Sequence, residues 1–452
     1  MNGMKKVRSM AGLAQRGFEL LEKNDPDLFN MLERENNRQN EVLAMVAASS
    51  VADPSVLVCE GTATVNVTTE GYPGARFHAG CNIVDEIENL AIDRAKKAFK
   101  AQYANVQPHS GSSANGVLLF SLLNPGDTIL GLDLDCGGHL THGSKASVSG
   151  RYFNAVAYGL TDEGYIDYDN VRDMALKHKP KLIISGASAY PRTIDFKRFR
   201  EIADEIGAYL IADVSHIAGL IVAGAHPSPI DHAHFTTTST YKQLYGPRGG
   251  LILMGRDFET LAIDDKTPLY RLVQRGVFPY FQGTPNLAGI AAKARALDHV
   301  CTDEFKQLGH RIVDNAKALA DFFADKGYQV LTGGTDNHIV LMNILSSKKL
   351  TGVVAEQALE SCNLIVNKNR IFGDQKSAMI TSGIRLGSNS LALRGMGAEQ
   401  MSICGGFMDQ VLSAITVKGD KEYELKTEVQ KSVVESIKEL CQAYPLPGYS
   451  ES

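Results

Sequence analysis

The chain has 452 residues, 44% hydrophobic and 21% charged, enough apolar material to bury a full core without disulfides or a structural metal. Its 46 Lys and Arg against 51 Asp and Glu leave a net charge of −5 with no run of one sign, which argues against nucleic acid or an anionic membrane as a main partner. Seven scattered cysteines without a Cys-x-x-Cys pair, an N-terminus lacking signal or transit character, and apolar runs too short to span a bilayer together predict reduced thiols, a cytoplasmic location and no metal centre.

Residues 10–46 read as amphipathic helix, and 83–102 repeat apolar positions at Ile83, Ile87, Leu90, Ala91 and Ala98 with helical spacing. Short β-type runs follow at 128–134, 181–184, 209–213 and 251–254, with a helical stretch at 196–206 between the second and third. This alternation predicts an α/β fold with a largely parallel sheet between helices. A long helical region over 286–326, a strand at 338–343, a helix at 353–362 and a strand near Ile384 predict a smaller α+β domain. The expected division is an N-terminal helical arm over 1–60, a large domain over 61–300 and a small domain over 301–452.

Lys242 follows a run of hydroxyl residues, among them Ser239, and precedes a glycine-rich turn into a strand. Alone, such a lysine is a solvated charge. Asp213 ends an apolar strand, the place where open α/β sheets put ligand-binding residues; its bland alternative is a helix N-cap. A pyridinium nitrogen is a fitting partner for a buried aspartate, and pyridoxal phosphate needs that aspartate together with a Schiff-base lysine. His109-Ser-Gly-Ser-Ser-Ala-Asn115 before an apolar helical stretch offers free N–H groups and hydroxyls to a phosphate, or is an ordinary serine-rich cap. Arg385 in the small domain could take an α-carboxylate bidentately. Glu70 could act as acid or base, or be a turn residue, and His139 could lie on an aromatic cofactor, or be a structural turn residue.

Together these stretches resemble the serine hydroxymethyltransferase family, pyridoxal-phosphate enzymes of fold type I. The resemblance runs over about 28–415 and rests on Glu70-Gly-Tyr-Pro-Gly74, Asn89-Leu-Ala-Ile-Asp-Arg-Ala95, Tyr103-Ala-Asn-Val-Gln-Pro-His-Ser-Gly111, Gly137-Gly-His-Leu-Thr-His-Gly143, Val214-Ser-His-Ile-Ala-Gly-Leu220, Lys242 with Gly246-Pro-Arg-Gly-Gly250, and Val366-Asn-Lys-Asn369. It implies a large domain with a mostly parallel, seven-stranded type of sheet and a smaller C-terminal α+β domain. It implies that Lys242 carries the cofactor, Asp213 faces the pyridine nitrogen and His139 stacks on the ring. Gly111 and Ser112 belong to the phosphate cup, Ser188 and His216 flank the phenolic oxygen, Ser239 joins the cofactor contacts, and Gly283 reaches a phosphate from the neighbouring subunit. Arg385 would hold the substrate carboxylate, and Glu70 would handle the proton at the hydroxymethyl or folate group. Leu134, Gly138, Leu140 and Asn369 fall where the family holds tetrahydrofolate. A homodimer or tetramer with active sites at the subunit interface follows.

Departures cluster around the substrate positions. Ala47-Ala-Ser-Ser50 stands for Ala-Ser-Glu-Asn, Thr68 for a tyrosine, Phe77-His78 for a Tyr-Tyr pair, Tyr241 for a histidine and Thr284 for a glycine. The loss of a ring at 68 leaves room for an α-methyl group, and Thr68 with His78 resembles the variant branch that acts on 2-methylserine and yields D-alanine. The expected reaction is therefore retro-aldol Cα–Cβ cleavage of a β-hydroxy-α-amino acid with one-carbon transfer to tetrahydrofolate, leaning to 2-methylserine. The alternatives are ordinary serine and glycine use, a folate-independent aldolase or transaldolase, and a catalytically silent paralogue.

Overall fold

The computed structural model describes residues 9–263 and 266–449. The helical stretch expected over 10–46 divides into two helices, Met10–Asn24 and Pro26–Glu41. Pro26 has no N–H to continue the first helix, and the Asp25 side chain instead accepts Leu28 N–H and caps the second. Neither helix contains a buried residue.

A seven-stranded sheet forms the centre of the fold. Its strands are β1 (Tyr103–Asn105), β2 (Thr128–Leu132), β3 (Asn154–Tyr158), β4 (Leu182–Ser185), β5 (Tyr209–Asp213), β6 (Phe235–Ser239) and β7 (Gly250–Met254). The spatial order is β1-β7-β6-β5-β4-β2-β3. Six strands run one way; β7 runs against both of its neighbours, β6 and β1. Every residue of β4 to β7 is buried, which is the pattern of strands covered on both faces. The helix Phe196–Ile206 buries Phe196, Phe199, Ile202 and Ala203 against this core, as its apolar spacing demands.

A second sheet of four strands contains β8 (Gln329–Val330), β9 (Ile339–Asn343), β10 (Asn367–Asn369) and β11 (Gly383–Gly387), ordered β8-β9-β11-β10 and antiparallel throughout. The helical region expected over 286–326 is two helices, Leu287–His299 and Asp303–Asp325. The second serves both cores: Phe305, Leu308 and Ile312 pack with the large sheet, Ala316, Leu319 and Phe323 with the small one. All seven cysteines are free, and among the described residues no helix is long and apolar enough to cross a membrane.

Candidate active site

Asp213 lies at the C-terminal end of β5, near the middle of the large sheet and 7% exposed. Its Oδ2 accepts Asn115 Nδ2 at 2.8 Å and lies 3.1 Å from His142 Nε2; its Oδ1 accepts Ser215 Oγ at 2.6 Å and Ser215 N–H at 3.1 Å. Burial opposes the charge, but the hydrogen bond from His142 and the Ser215 hydroxyl hold the carboxyl far below its ordinary value. His139 sits beside it, with Nδ1 2.7 Å from Thr141 Oγ1. Burial pushes His139 down to about 4 despite the Asp213 carboxylate, so its ring is neutral near pH 7. Ligand atoms of His139, His142 and Asp213 lie within 4.8 Å of one another, but the His142 and Asp213 pair is already a hydrogen bond.

The loop between β6 and β7 carries Lys242, which is buried. Burial pushes its amine down to about 8, Asp213 opposes the shift, and the cations Arg385 and Arg248 add to it. Those neighbours place Asp213, Lys242 and Arg385 around one space. Tyr241 is fixed beside them: its carbonyl accepts the Ser50 hydroxyl, and its ring has Arg248 Cζ 3.7 Å and Lys242 Nζ 5.5 Å from the centroid. A cation on either count is held by the ring quadrupole.

Gly111 opens the helix Gly111–Leu122, capped by Ser110, whose Oγ accepts Ser113 N–H at 3.0 Å. A Cβ at Gly111 would come within 3.1 Å of Ser215 Oγ and of Ser239 N, so a side chain here would crowd the approach of the helix start to β6. Ser112 is exposed at that start. Ser239 Oγ and His216 Nδ1 are buried without a hydrogen-bond partner among the described residues. Such groups cost free energy unless a ligand satisfies them. A buried carboxylate for a ring nitrogen, a buried amine, free N–H groups at a helix start and orphaned donors on the same sheet end fit pyridoxal phosphate. His216 is stacked on His338 at 5.7 Å and 19°, and burial keeps it neutral.

Arg385 lies on β11 and donates to Ser188 O at 2.5 Å and to Asn367 Oδ1 at 3.1 Å. Burial pushes its guanidinium down to about 10, which still leaves it charged at pH 7. Among the described residues no carboxylate pairs with it, so its charge is met only by neutral acceptors.

Thr68, Glu70, His78, Gly283 and Thr284 form a second group. Glu70 Oε2 lies 3.2 Å from His78 Nε2, Thr69 N–H donates to Thr284 Oγ1 at 2.9 Å, and a Cβ on Gly283 would lie 3.6 Å from Glu70 Oε1. Thr68, His78, Gly283 and Thr284 are exposed. Within one protomer, and among the described residues, no hydrogen bond, ion pair or ring contact joins these side chains to the Lys242 group. The structure thus gathers Lys242, Asp213, His139, His216, Ser188 and Arg385 but does not bring Glu70 to them within a single chain.

At the positions expected to meet folate, Leu134 and Leu140 are exposed on short 3₁₀ turns either side of Gly138. A Cβ on Gly138 would lie 2.1 Å from Leu132 O, so the turn requires glycine. Asn369 ends β10, with its Nδ2 donating to Arg370 O.

Sequence reasoning passed over His142, Asn115 and Ser215. His142 stood in a quoted stretch, three residues after His139; on a 3₁₀ turn that spacing returns a side chain to the same side. Asn115 also ended a quoted stretch, the candidate phosphate loop, but nothing in that stretch linked it to Asp213. It donates to Asp213 and accepts Thr237 Oγ1 at 2.6 Å, so it is fully engaged.

The sequence family described as serine hydroxymethyltransferase matches residues 21–408. A probable serine hydroxymethyltransferase of Rickettsia bellii (strain RML369-C) is 45% identical over 426 residues, covering 94% of this chain and 98% of its own. The family's members are pyridoxal-phosphate hydroxymethyltransferases of fold type I with tetrahydrofolate as co-substrate. With the match spanning both sheets and every residue of the Lys242 group, the chain belongs to the serine hydroxymethyltransferase family.

Proposed function

We propose that the chain cleaves the Cα–Cβ bond of a β-hydroxy-α-amino acid at the Lys242 group and passes the one-carbon fragment to tetrahydrofolate. The observation that carries this reading is the buried Lys242 amine between the Asp213 carboxylate and the unpaired Arg385 guanidinium. Bound pyridoxal phosphate supplies an electron sink for the pair left at Cα. Asp213 keeps a negative charge at the site of the ring nitrogen, with His142, Asn115 and Ser215 fixing its two oxygens. Arg385 holds the substrate carboxylate, and Ser188 O and Asn367 orient its guanidinium. His139 and His216, both neutral by burial, line the space without adding charge.

Glu70 moves the proton at the hydroxymethyl oxygen, and it does so in the site of a second copy. The separation of the Glu70 group from Lys242 within one chain supports this arrangement, as do the exposed apolar residues Phe77, Ile83, Leu90, Tyr280 and Phe281 and the two N-terminal helices without buried residues. Free cysteines are consistent with a cytoplasmic enzyme.

A second reading concerns the substrate. Thr68 and Phe77-His78 leave space beside Cα and favour 2-methylserine with D-alanine as product, whereas the Rickettsia relative carries the name of a serine enzyme. Absorbance titration of the loaded enzyme with glycine, L-serine, D-alanine and 2-methylserine, with and without tetrahydrofolate, separates the two. A folate-enhanced long-wavelength band with D-alanine but not glycine supports the methyl-accepting reading; the same band with glycine supports the serine reading. No response to any of the four removes the proposal.

A further inference from the structure

Asp135 and Arg370 meet across the gap between the two sheets. Asp135 sits in the 3₁₀ turn Leu134–Cys136 that follows β2, and Arg370 follows β10. Arg370 Nη1 lies 2.6 Å from Asp135 Oδ1. Asp135 is the immediate neighbour of Leu134, and Arg370 of Asn369. The ion pair therefore ties together one wall of the expected folate cleft from each sheet.

Both ends are braced. Asp135 N–H donates to Asp133 Oδ1 at 2.8 Å, and Gly138 N–H donates to Asp133 O at 2.9 Å, so the acid and the glycine turn share one anchor. Arg370 Nη2 donates to Asp374 O at 3.1 Å. The Asp374 carboxylate in turn accepts Ser382 N–H at 2.8 Å and Ser382 Oγ at 2.6 Å, one residue before the strand that carries Arg385. Arg385 returns to the large sheet through Ser188 O, and Ser188 N–H donates to Gly137 O at 2.8 Å, two residues from Asp135. The result is a closed circuit that crosses between the sheets twice, once at Asp135 and Arg370 and once at Ser188 and Arg385. A cavity of about 580 Å³, lined in part by Asp135, Gly137, Ala189, Leu341, Arg370 and Phe372, adjoins the ion pair, so side-chain packing does not fill the space beside it.

We propose that Asp135 and Arg370 form a clasp that sets the width of the cleft between Leu134 and Asn369, making them positioning residues for tetrahydrofolate. This rests on the folate reading above. The pair is 43% and 32% exposed at its two side chains, so its hold is modest and weakens with salt. Its loss should be felt where the two walls must meet a large ligand, and not at Lys242.

The test compares two reactions of the holoenzyme. One is the folate-dependent cleavage of L-serine or 2-methylserine, whichever the enzyme accepts. The other is cleavage of 3-phenylserine without folate, whose benzaldehyde product needs no one-carbon acceptor. Asp135→Asn and Arg370→Gln should each raise KM for tetrahydrofolate about threefold to fivefold, leaving 3-phenylserine cleavage unchanged, and the double variant should be no worse than either single one. The exchanged pair, Asp135→Arg with Arg370→Asp, should recover part of the loss. An unchanged folate KM in both single variants overturns the clasp, and so does an equal loss in both reactions. If the unaltered enzyme shows no folate dependence, the folate reading fails and the clasp fails with it; folate dependence that ignores both substitutions removes the clasp alone.

Discussion

His142 Nε2 lies 3.1 Å from Asp213 Oδ2, and both side chains are buried. In the proposed reading Asp213 faces a protonated ring nitrogen and must stay charged, and at this burial its charge is maintained by donors, not by bulk water. Removing one donor from a buried charge costs about 1.5–3 kcal/mol. His142→Leu should therefore weaken pyridoxal-phosphate binding on the order of tenfold, equivalent to about 1.4 kcal/mol. Titrating the cofactor into apoprotein, with a denaturation midpoint as control, measures this. An unchanged dissociation constant would show that Asn115 and Ser215 hold Asp213 without help.

The fold and the site were legible to different degrees. Apolar strands alternating with helices announced β2, β4 and β5, because strands covered on both faces must be continuously apolar. The direction of β7 was not drawn from the pattern, although the loop from Ser239 to Gly250 is too short for a helical crossover and so requires an antiparallel return. β6 was harder. Its Thr236, Thr237 and Thr238 are buried although polar, so the run of hydroxyl residues before Lys242 lacks the apolar pattern that marks the other central strands. Lys242, Asp213 and Arg385 were recognisable because each is a charge placed beside apolar or glycine-rich sequence. Glu70 was recognisable as a candidate acid or base, the residues around it only by resemblance, and its separation from Lys242 within one chain could not be read from residues alone.

Burial pushes Lys242 down to about 8, with Arg385 and Arg248 adding to the effect against Asp213. The amine is nucleophilic only when neutral, so its labelling by an amine-reactive reagent in apoprotein should rise with pH around a midpoint near 8. Mass spectrometry of the labelled peptide reads this. Arg385→Leu removes a positive neighbour and should move the midpoint up; Asp213→Asn removes a negative one and should move it down. The stability consequence has a definite sign. Between about 8 and 10.5 the unfolded chain holds a proton on this lysine that the folded chain has released, so the Lys242 contribution to apoprotein stability rises with pH through that window. A midpoint at the ordinary lysine value would mean that the amine is solvated.

Arg76 supports the Glu70 loop from below. Its guanidinium pairs with Glu88 at 2.6 Å, where the side chains are 3% and 1% exposed, and with Asp85 at 2.8 Å, and it donates to Thr69 O and Gly71 O at 2.9 Å. Glu88 also accepts Gln107 Nε2 at 2.8 Å. Removing one member of a buried pair leaves the other uncompensated and costs about 3–5 kcal/mol. Glu88→Ala should lower stability by that amount in urea unfolding and also reduce activity, because the loop on both sides of Glu70 loses its anchor. A loss below about 1 kcal/mol would mean that Asp85 alone satisfies Arg76.

Thr68 lies two residues before Glu70 and is exposed, while the adjacent Thr69 N–H is fixed on Thr284 Oγ1 at 2.9 Å. A tyrosine at 68 therefore meets no packed core in its own chain, and Thr68→Tyr should fold with unchanged stability. Its ring can affect specificity only by entering the site of a second copy, where it would take the space beside Cα. A single carbon in an apolar pocket is worth about 1–3 kcal/mol, so the preference for glycine over D-alanine should rise at least about tenfold, read from the long-wavelength absorbance of the loaded enzyme at saturating tetrahydrofolate. Dilution below the subunit dissociation constant should abolish activity in both forms, as a site shared between subunits requires. An unchanged preference would remove the argument that Thr68 makes room for a methyl group, while leaving Lys242, Asp213 and Arg385 in their roles.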